Sequence, residues 1–148
     1  MTTYESEIKV ISQPQEMIFN TLSNLSNFQK VKEMNLEGQD KFSEYLKDME
    51  CSEDAVLVSV PTFGKVGLRI IEREPFKTIK LQAETSPVAA NAWIQLVAIS
   101  ENETKMRITV KAELPMMIKM MVDSKLKKGV DALADGLAKA LNAGDGSR

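Results

Sequence analysis

The sequence predicts a single α+β domain with an antiparallel sheet of about seven strands, two short helices after the first strand, and one long C-terminal helix. Three observations carry this reading. Short runs of alternating apolar and polar residues recur between residues 55 and 112, joined by turns rich in Pro, Gly and Asn. That pattern belongs to a meander with one dry and one wet face. Val122, Leu126, Val130, Leu133, Leu137 and Leu141 then trace one apolar helical stripe at the i, i+3, i+4 period. No repeat or linker-like stretch divides the 148 residues, a length that suits one core.

Residues 3–12 alternate, with Tyr4, Ser6, Ile8 and Val10 on one side and Glu5, Glu7 and Lys9 on the other. This predicts a half-buried strand whose first set faces inward. Ser12 ahead of Pro14-Gln15-Glu16 opens a helix, with Pro in the first turn and an acid near its positive end. Ile18, Leu22 and Leu25 keep helical spacing, flanked by Phe19, until Ser23-Asn24 and Ser26-Asn27 interrupt it. One short helix, a break and a second short helix from Phe28 to Met34 are expected, then a loop at 38–40.

Strands follow at 44–51 and 55–60, and Pro61-Thr62-Phe63-Gly64 forms a turn. Val66, Leu68 and Ile70 face inward from the next strand. After the turn Glu74-Pro75-Phe76-Lys77, Ile79, Leu81 and Ala83 alternate with Lys80, Gln82 and Glu84 until Ser86-Pro87. Residues 90–100 make another strand, and Glu101-Asn102-Glu103 turns the chain into Met106, Ile108, Val110 and Ala112. Pro115 stops the meander, and the last helix is expected to run to about Asn142. That bounds the domain at 1–142, with 143–148 a flexible tail. Gly129 and Gly136 each cost the helix about 1 kcal/mol relative to Ala. Both lie beside the stripe, which implies close approach to a neighbouring backbone.

Composition removes several function classes. An apolar fraction of 43% excludes disorder, and seven Gly with five Pro exclude collagen-like chains. A lone Cys51 excludes an internal disulfide framework and a multi-Cys zinc site. The absence of histidine excludes Ser-His-Asp and Cys-His catalysis. A net charge of −2 leaves no basic excess for nucleic acid. Glu5 and Glu7 stand where a signal peptide would be cationic, and no run approaches the roughly 20 apolar residues of a membrane span. A cytoplasmic protein without stable membrane insertion is expected.

The element order resembles the START-like or SRPBCC superfamily, which includes Bet v 1-like proteins, lipid-transfer domains and polyketide cyclases. Ile71-Glu72-Arg73-Glu74-Pro75-Phe76-Lys77-Thr78-Ile79-Lys80-Leu81 is similar to that family's Glu-Pro turn between central strands. Glu103-Thr104-Lys105-Met106-Arg107-Ile108-Thr109-Val110 is similar to its strand before the last helix. The resemblance spans residues 3–141, and Pro115-Met116-Met117 stands where many relatives carry glycine. It implies a helix-grip fold, in which a curved antiparallel sheet with its first strand beside its last holds the long helix over a cavity. Function is then expected in that cavity or at its mouth. Fold alone does not assign an activity.

Few residues offer chemistry. Glu50, Glu53 and Asp54 around Cys51 would raise the thiol's pKa, so Cys51 reads as structural. Glu5/Glu7, Glu72/Glu74 and Glu101/Glu103 fall on solvent faces or in turns, and no calcium loop or phosphate cradle is present. No catalytic residue, metal site or cofactor is therefore assigned. The inward set is almost wholly apolar, with only Ser6, Asn91 and Ser124 as polar members. It includes Leu68, Leu81, Ile94, Leu96 and Ile108.

Two further positions stand out. Ala92, Ile94, Leu96 and Ala98 form the inward phase of their strand, which leaves Trp93 and Val97 outward beside Lys80 and Arg107. Lys and Arg stems can cover such a Trp, or it can anchor a homodimer through the outer sheet face. At the start of the last helix, Met116, Met117, Met120 and Met121 make the first turns apolar nearly all round, while Lys119 projects onto the core face. These five residues are read as a pocket mouth or docking surface, with Lys119 available to an acidic head group. The expected function is binding of a small hydrophobic, lipid-like or aromatic molecule, with Leu68, Leu81, Ile94, Leu96 and Ile108 as the inner wall. A polyketide cyclase or dehydratase-like enzyme and a protein-interaction module of co-chaperone type are the alternatives. Polar groups deep in the pocket would favour the first, and a filled core with a broad apolar outer patch the second.

Overall fold

The computed structural model describes residues 2–27, 50–60, 64–85 and 88–146. The expected helix at 28–34, the loop at 38–40, the strand residues before Glu50 and the positions 61–63 and 86–87 lie outside the described residues. The elements are β1 (Thr2–Glu5), β2 (Lys9–Ile11), α1 (Gln15–Leu22), β3 (Glu50–Cys51) and β4 (Ala55–Val60). They continue as β5 (Gly64–Glu74), β6 (Thr78–Thr85), β7 (Ala90–Ser100), β8 (Glu103–Ala112) and α2 (Met116–Gly146).

One antiparallel sheet runs β1-β8-β7-β6-β5-β4-β3, with β2 also paired to β8. Strands β3 to β8 follow chain order because only a few residues separate each from the next, and the N-terminal strands close on the last one. This is the helix-grip arrangement. Opposite residues share a face, so Ile79 with Ile94, Ile94 with Ile108 and Leu96 with Met106 build the dry face row by row. Glu74-Pro75-Phe76-Lys77 turns as expected, with the Lys77 amide donating to the Glu74 carbonyl at 3.0 Å. Phe76 takes φ 66, a left-handed value unusual for a bulky side chain. Its ring meets Phe19 of α1 edge-on at 5.7 Å, which offsets part of that cost.

The first strand departs from simple alternation. Glu5 stands opposite Thr109 and Lys9 opposite Met106, so four steps along the N-terminal segment match three along β8. The extra residue is a β-bulge, and a bulge reverses the faces of everything beyond it. Tyr4 and Ser6 are buried as expected, but Ile8 and Val10 are exposed and Ile11 is buried instead. Lys9 turns toward α2, with its ammonium 3.4 Å from Asp131 and 3.8 Å from Asp135. Ser6 holds the irregularity together: its amide donates to the Ile108 carbonyl at 2.9 Å, and its Oγ accepts from the Ile108 amide at 3.0 Å.

Helix α1 lies on β6 and β7, burying Ile18, Phe19 and Leu22. Helix α2 packs chiefly on β8, β2 and β1 through Val122, Val130, Ala134, Leu137, Ala138 and Leu141. It is helical through Gly146, past its expected end at about Asn142, so residues 143–146, expected as part of a flexible tail, continue the helix. Gly136 is buried and Gly129 half-buried. Polar ties to the N-terminal segment follow the helix along its length. The Glu7 amide donates to Asp131 Oδ1 at 3.0 Å, the Ser12 amide to Asn142 Oδ1 at 2.8 Å, and Gln13 Nε2 to the Leu141 carbonyl.

Candidate functional site at the start of the long helix

Between β8 and α2 the chain runs through Glu113-Leu114-Pro115. Pro115 suits the helix start because its missing N–H would have no intrahelical partner there. The first helical bond, from the Lys119 amide to the Pro115 carbonyl, is 2.9 Å. An open groove of about 1120 Å³ lies here, lined by Thr2, Glu113, Leu114, Pro115, Met116, Lys119, Met120 and Asp123. Its lining is mixed: Leu114, Pro115, Met116 and Met120 are apolar, Glu113 and Asp123 bring carboxylates, and Lys119 brings an ammonium.

Among the described residues nothing covers the methionines. Met116, Met117, Met120 and Met121 are 78%, 79%, 79% and 63% exposed. Met116 and Met120 line the groove, whereas Met117 and Met121 do not. Lys119 is also exposed, which corrects its expected placement on the core face. The packed seam of α2 begins at Val122, with Ile118 only half-buried. The face that is core-facing farther along the helix therefore has no full cover at Lys119. Lys119 makes no ion pair among the described residues.

Beside the groove, Tyr4 Oη donates to Oδ1 of the lining Asp123 at 2.7 Å. Tyr4 is 5% exposed. Burial, the hydrogen bond and the charge of Asp123 together push its phenol up to about 12. The unfolded chain ionises Tyr4 near pH 10, and the folded chain resists until about 12. The stability from this raised pKa is therefore fully present below pH 10 and is lost as pH rises through 12. Urea unfolding of wild type and Tyr4→Phe across alkaline pH is expected to show a steeper loss for wild type. Parallel curves would remove Tyr4 from the alkaline transition.

The inner-wall residues occupy a different place. Leu81, Ile94, Leu96 and Ile108 are buried in one core cluster with Val130, Ala134 and Leu137 of α2, and Leu68 packs half-buried against it. Leu114 belongs to both regions: it lines the groove and packs on that cluster. The methionine group and the inner wall are thus neighbours through one leucine. Sequence reasoning missed Leu114, Thr2, Glu113 and Asp123. The only signal for Asp123 was its place four residues after Lys119, on the same helical side.

Trp93 faces outward as its register predicted, with Ile94 and Leu96 buried, but Ala98, expected inward, is exposed where the pairing with β8 shifts register. Lys80 and Lys111 ammonium groups lie 5.3 and 5.6 Å from the Trp93 ring centroid. Lys111 takes the place expected of Arg107, which stands opposite Gln95. Cys51 is half-buried. Among the described residues no cluster of His, Cys, Asp and Glu could hold a metal ion.

No family model matches the sequence, and no curated protein matches it. Solved structures do match its fold. A norcoclaurine synthase from Thalictrum flavum, in complex with dopamine and hydroxybenzaldehyde, is similar at TM-score 0.68 and 12% identity over 95% of this chain and 86% of that one. A START superfamily protein from Mycobacterium smegmatis is similar at TM-score 0.61 and 9% identity over 95% and 97%. The Aha1 dimer from Colwellia psychrerythraea is similar at TM-score 0.62 and 17% identity over 96% and 97%. The chain has the START/SRPBCC-like, Bet v 1-like fold, and the bearers of that fold include an enzyme and a protein described as a dimer.

Proposed function

We propose that this protein binds a small hydrophobic molecule carrying an anionic group and does not transform it. The observation that carries the reading is the groove itself. Its lining joins the apolar Leu114, Pro115, Met116 and Met120 to Lys119, which is unpaired among the described residues. The anionic group pairs with Lys119, and the apolar body lies on the two methionines, whose flexible thioethers adapt to irregular shapes. Leu114 also packs on the core cluster of Leu81, Ile94, Leu96 and Ile108, so the groove borders the expected inner wall, which is itself packed against α2. Support comes also from the fold, which the norcoclaurine synthase structure shares while holding two small aromatic molecules.

A fluorescent long-chain fatty acid titrated into wild type and Lys119→Met tests this. The variant is expected to bind about fivefold more weakly, the most that an exposed ion pair contributes. Equal binding by both would remove Lys119 from the site. Binding by neither would count against the ligand-carrier reading.

A further inference from the structure

We propose that the N-terminal end of α2 docks this protein onto an anionic lipid bilayer, a role independent of any ligand in the groove. At about 100° per residue, Met117, Met120 and Met121 point away from the packed stripe of Val122, Leu126 and Val130, and Met116 lies on its flank, so the end of the helix is apolar on most sides. All four methionines are at least 63% exposed. One to two turns farther along stand the exposed Lys125, Lys127 and Lys128. Lys128 is on the outer side and Lys125 and Lys127 are on its two flanks, so cationic groups ring the helix above the methionines. None of these lysines makes an ion pair among the described residues. The segment 116–128 holds four lysines and a single acid, Asp123, which is already bonded to Tyr4. Glu113 is the neighbouring acid, and it lines the groove.

The charge is ordered along the helix as a bilayer surface is ordered in depth. Seven or eight residues separate Met120 from Lys127 and Lys128, which is about 10–12 Å of helix rise. Interfacial segments bury their apolar part about 5–10 Å into the headgroup and acyl boundary. Methionines inserted to that depth leave the lysines level with anionic headgroups, and Lys119 reaches the same level by extending its stem. No helix among the described residues is long and apolar enough to cross a membrane, so this is adsorption at the interface. A second copy is a poorer occupant, because it presents the same cationic segment.

Cosedimentation of the full chain with vesicles tests the proposal without any ligand. Wild type is expected to bind vesicles of phosphatidylcholine with phosphatidylglycerol and not those of phosphatidylcholine alone. Binding should largely disappear at about 0.5 M salt. Replacing Lys125, Lys127 and Lys128 by Gln is expected to lower partitioning about a hundredfold. Met117→Ser with Met121→Ser, which leaves the groove lining intact, should lower it about tenfold. Thermal unfolding of each variant confirms that these exposed changes leave the fold in place. Absence of wild-type binding, or equal binding by the variants, would overturn the proposal. A solution dimer that the methionine variant dissociates would assign the surface to a second copy instead.

Discussion

Leu137→Ala is expected to destabilise the fold by about 3 kcal/mol, whereas Met117→Ala on the same helix should change stability by less than about 0.5 kcal/mol. Leu137 is 2% exposed and belongs to the core cluster with Ile94, Leu96 and Ile108. Its truncation removes buried methyl groups and leaves a cavity that Ala134, Ala138 and Leu141 are poorly placed to fill. Met117 lies 79% exposed, with no packing to lose. Urea unfolding of both variants measures the contrast directly. A small loss for Leu137→Ala would mean that α2 is not seated on the sheet through its middle turns. A large loss for Met117→Ala would mean that the methionine surface is covered.

Ser6→Ala should cost about 2 kcal/mol, the penalty for a buried amide left without its acceptor. The Ser6 hydroxyl is the acceptor for the Ile108 amide where the bulge interrupts the ladder. Alanine keeps the backbone bond to the Ile108 carbonyl but offers that amide nothing. Hydrogen exchange adds a local readout, since the Ile108 amide should lose protection out of proportion to the global change. Unchanged protection there would show that the ladder does not depend on the hydroxyl.

The sheet was legible because its signal is local. Between Ala55 and Ala112, period-two alternation specifies the strands. Away from the register shifts in β5 and at the end of β7, it also specifies the inward faces of the described residues. The placement of Ile94 and Leu96 inward with Trp93 outward followed from alternation alone. The stripe from Val122 to Leu141 likewise named the seam of α2 before its partner was known. These readings hold wherever one hydrophobic period continues unbroken, because burying one face then fixes register.

The first strand and the start of α2 were decided by tertiary structure. Alternation assigns faces only while pairing stays in step, and the bulge after Ser6 leaves no mark in the pattern of Ile8, Lys9 and Val10. It is stabilised by a hydroxyl and by Asp131 and Asp135, more than a hundred residues away in sequence. A helical projection likewise places Lys119 at an angle without saying whether the sheet extends beneath it. The angular pattern of a helix is set by its own residues, whereas cover depends on where the sheet ends. The exposure of Lys119 and the methionines, the Tyr4–Asp123 bond and the position of Leu114 between groove and core therefore arise only when β1, β8 and α2 meet in space.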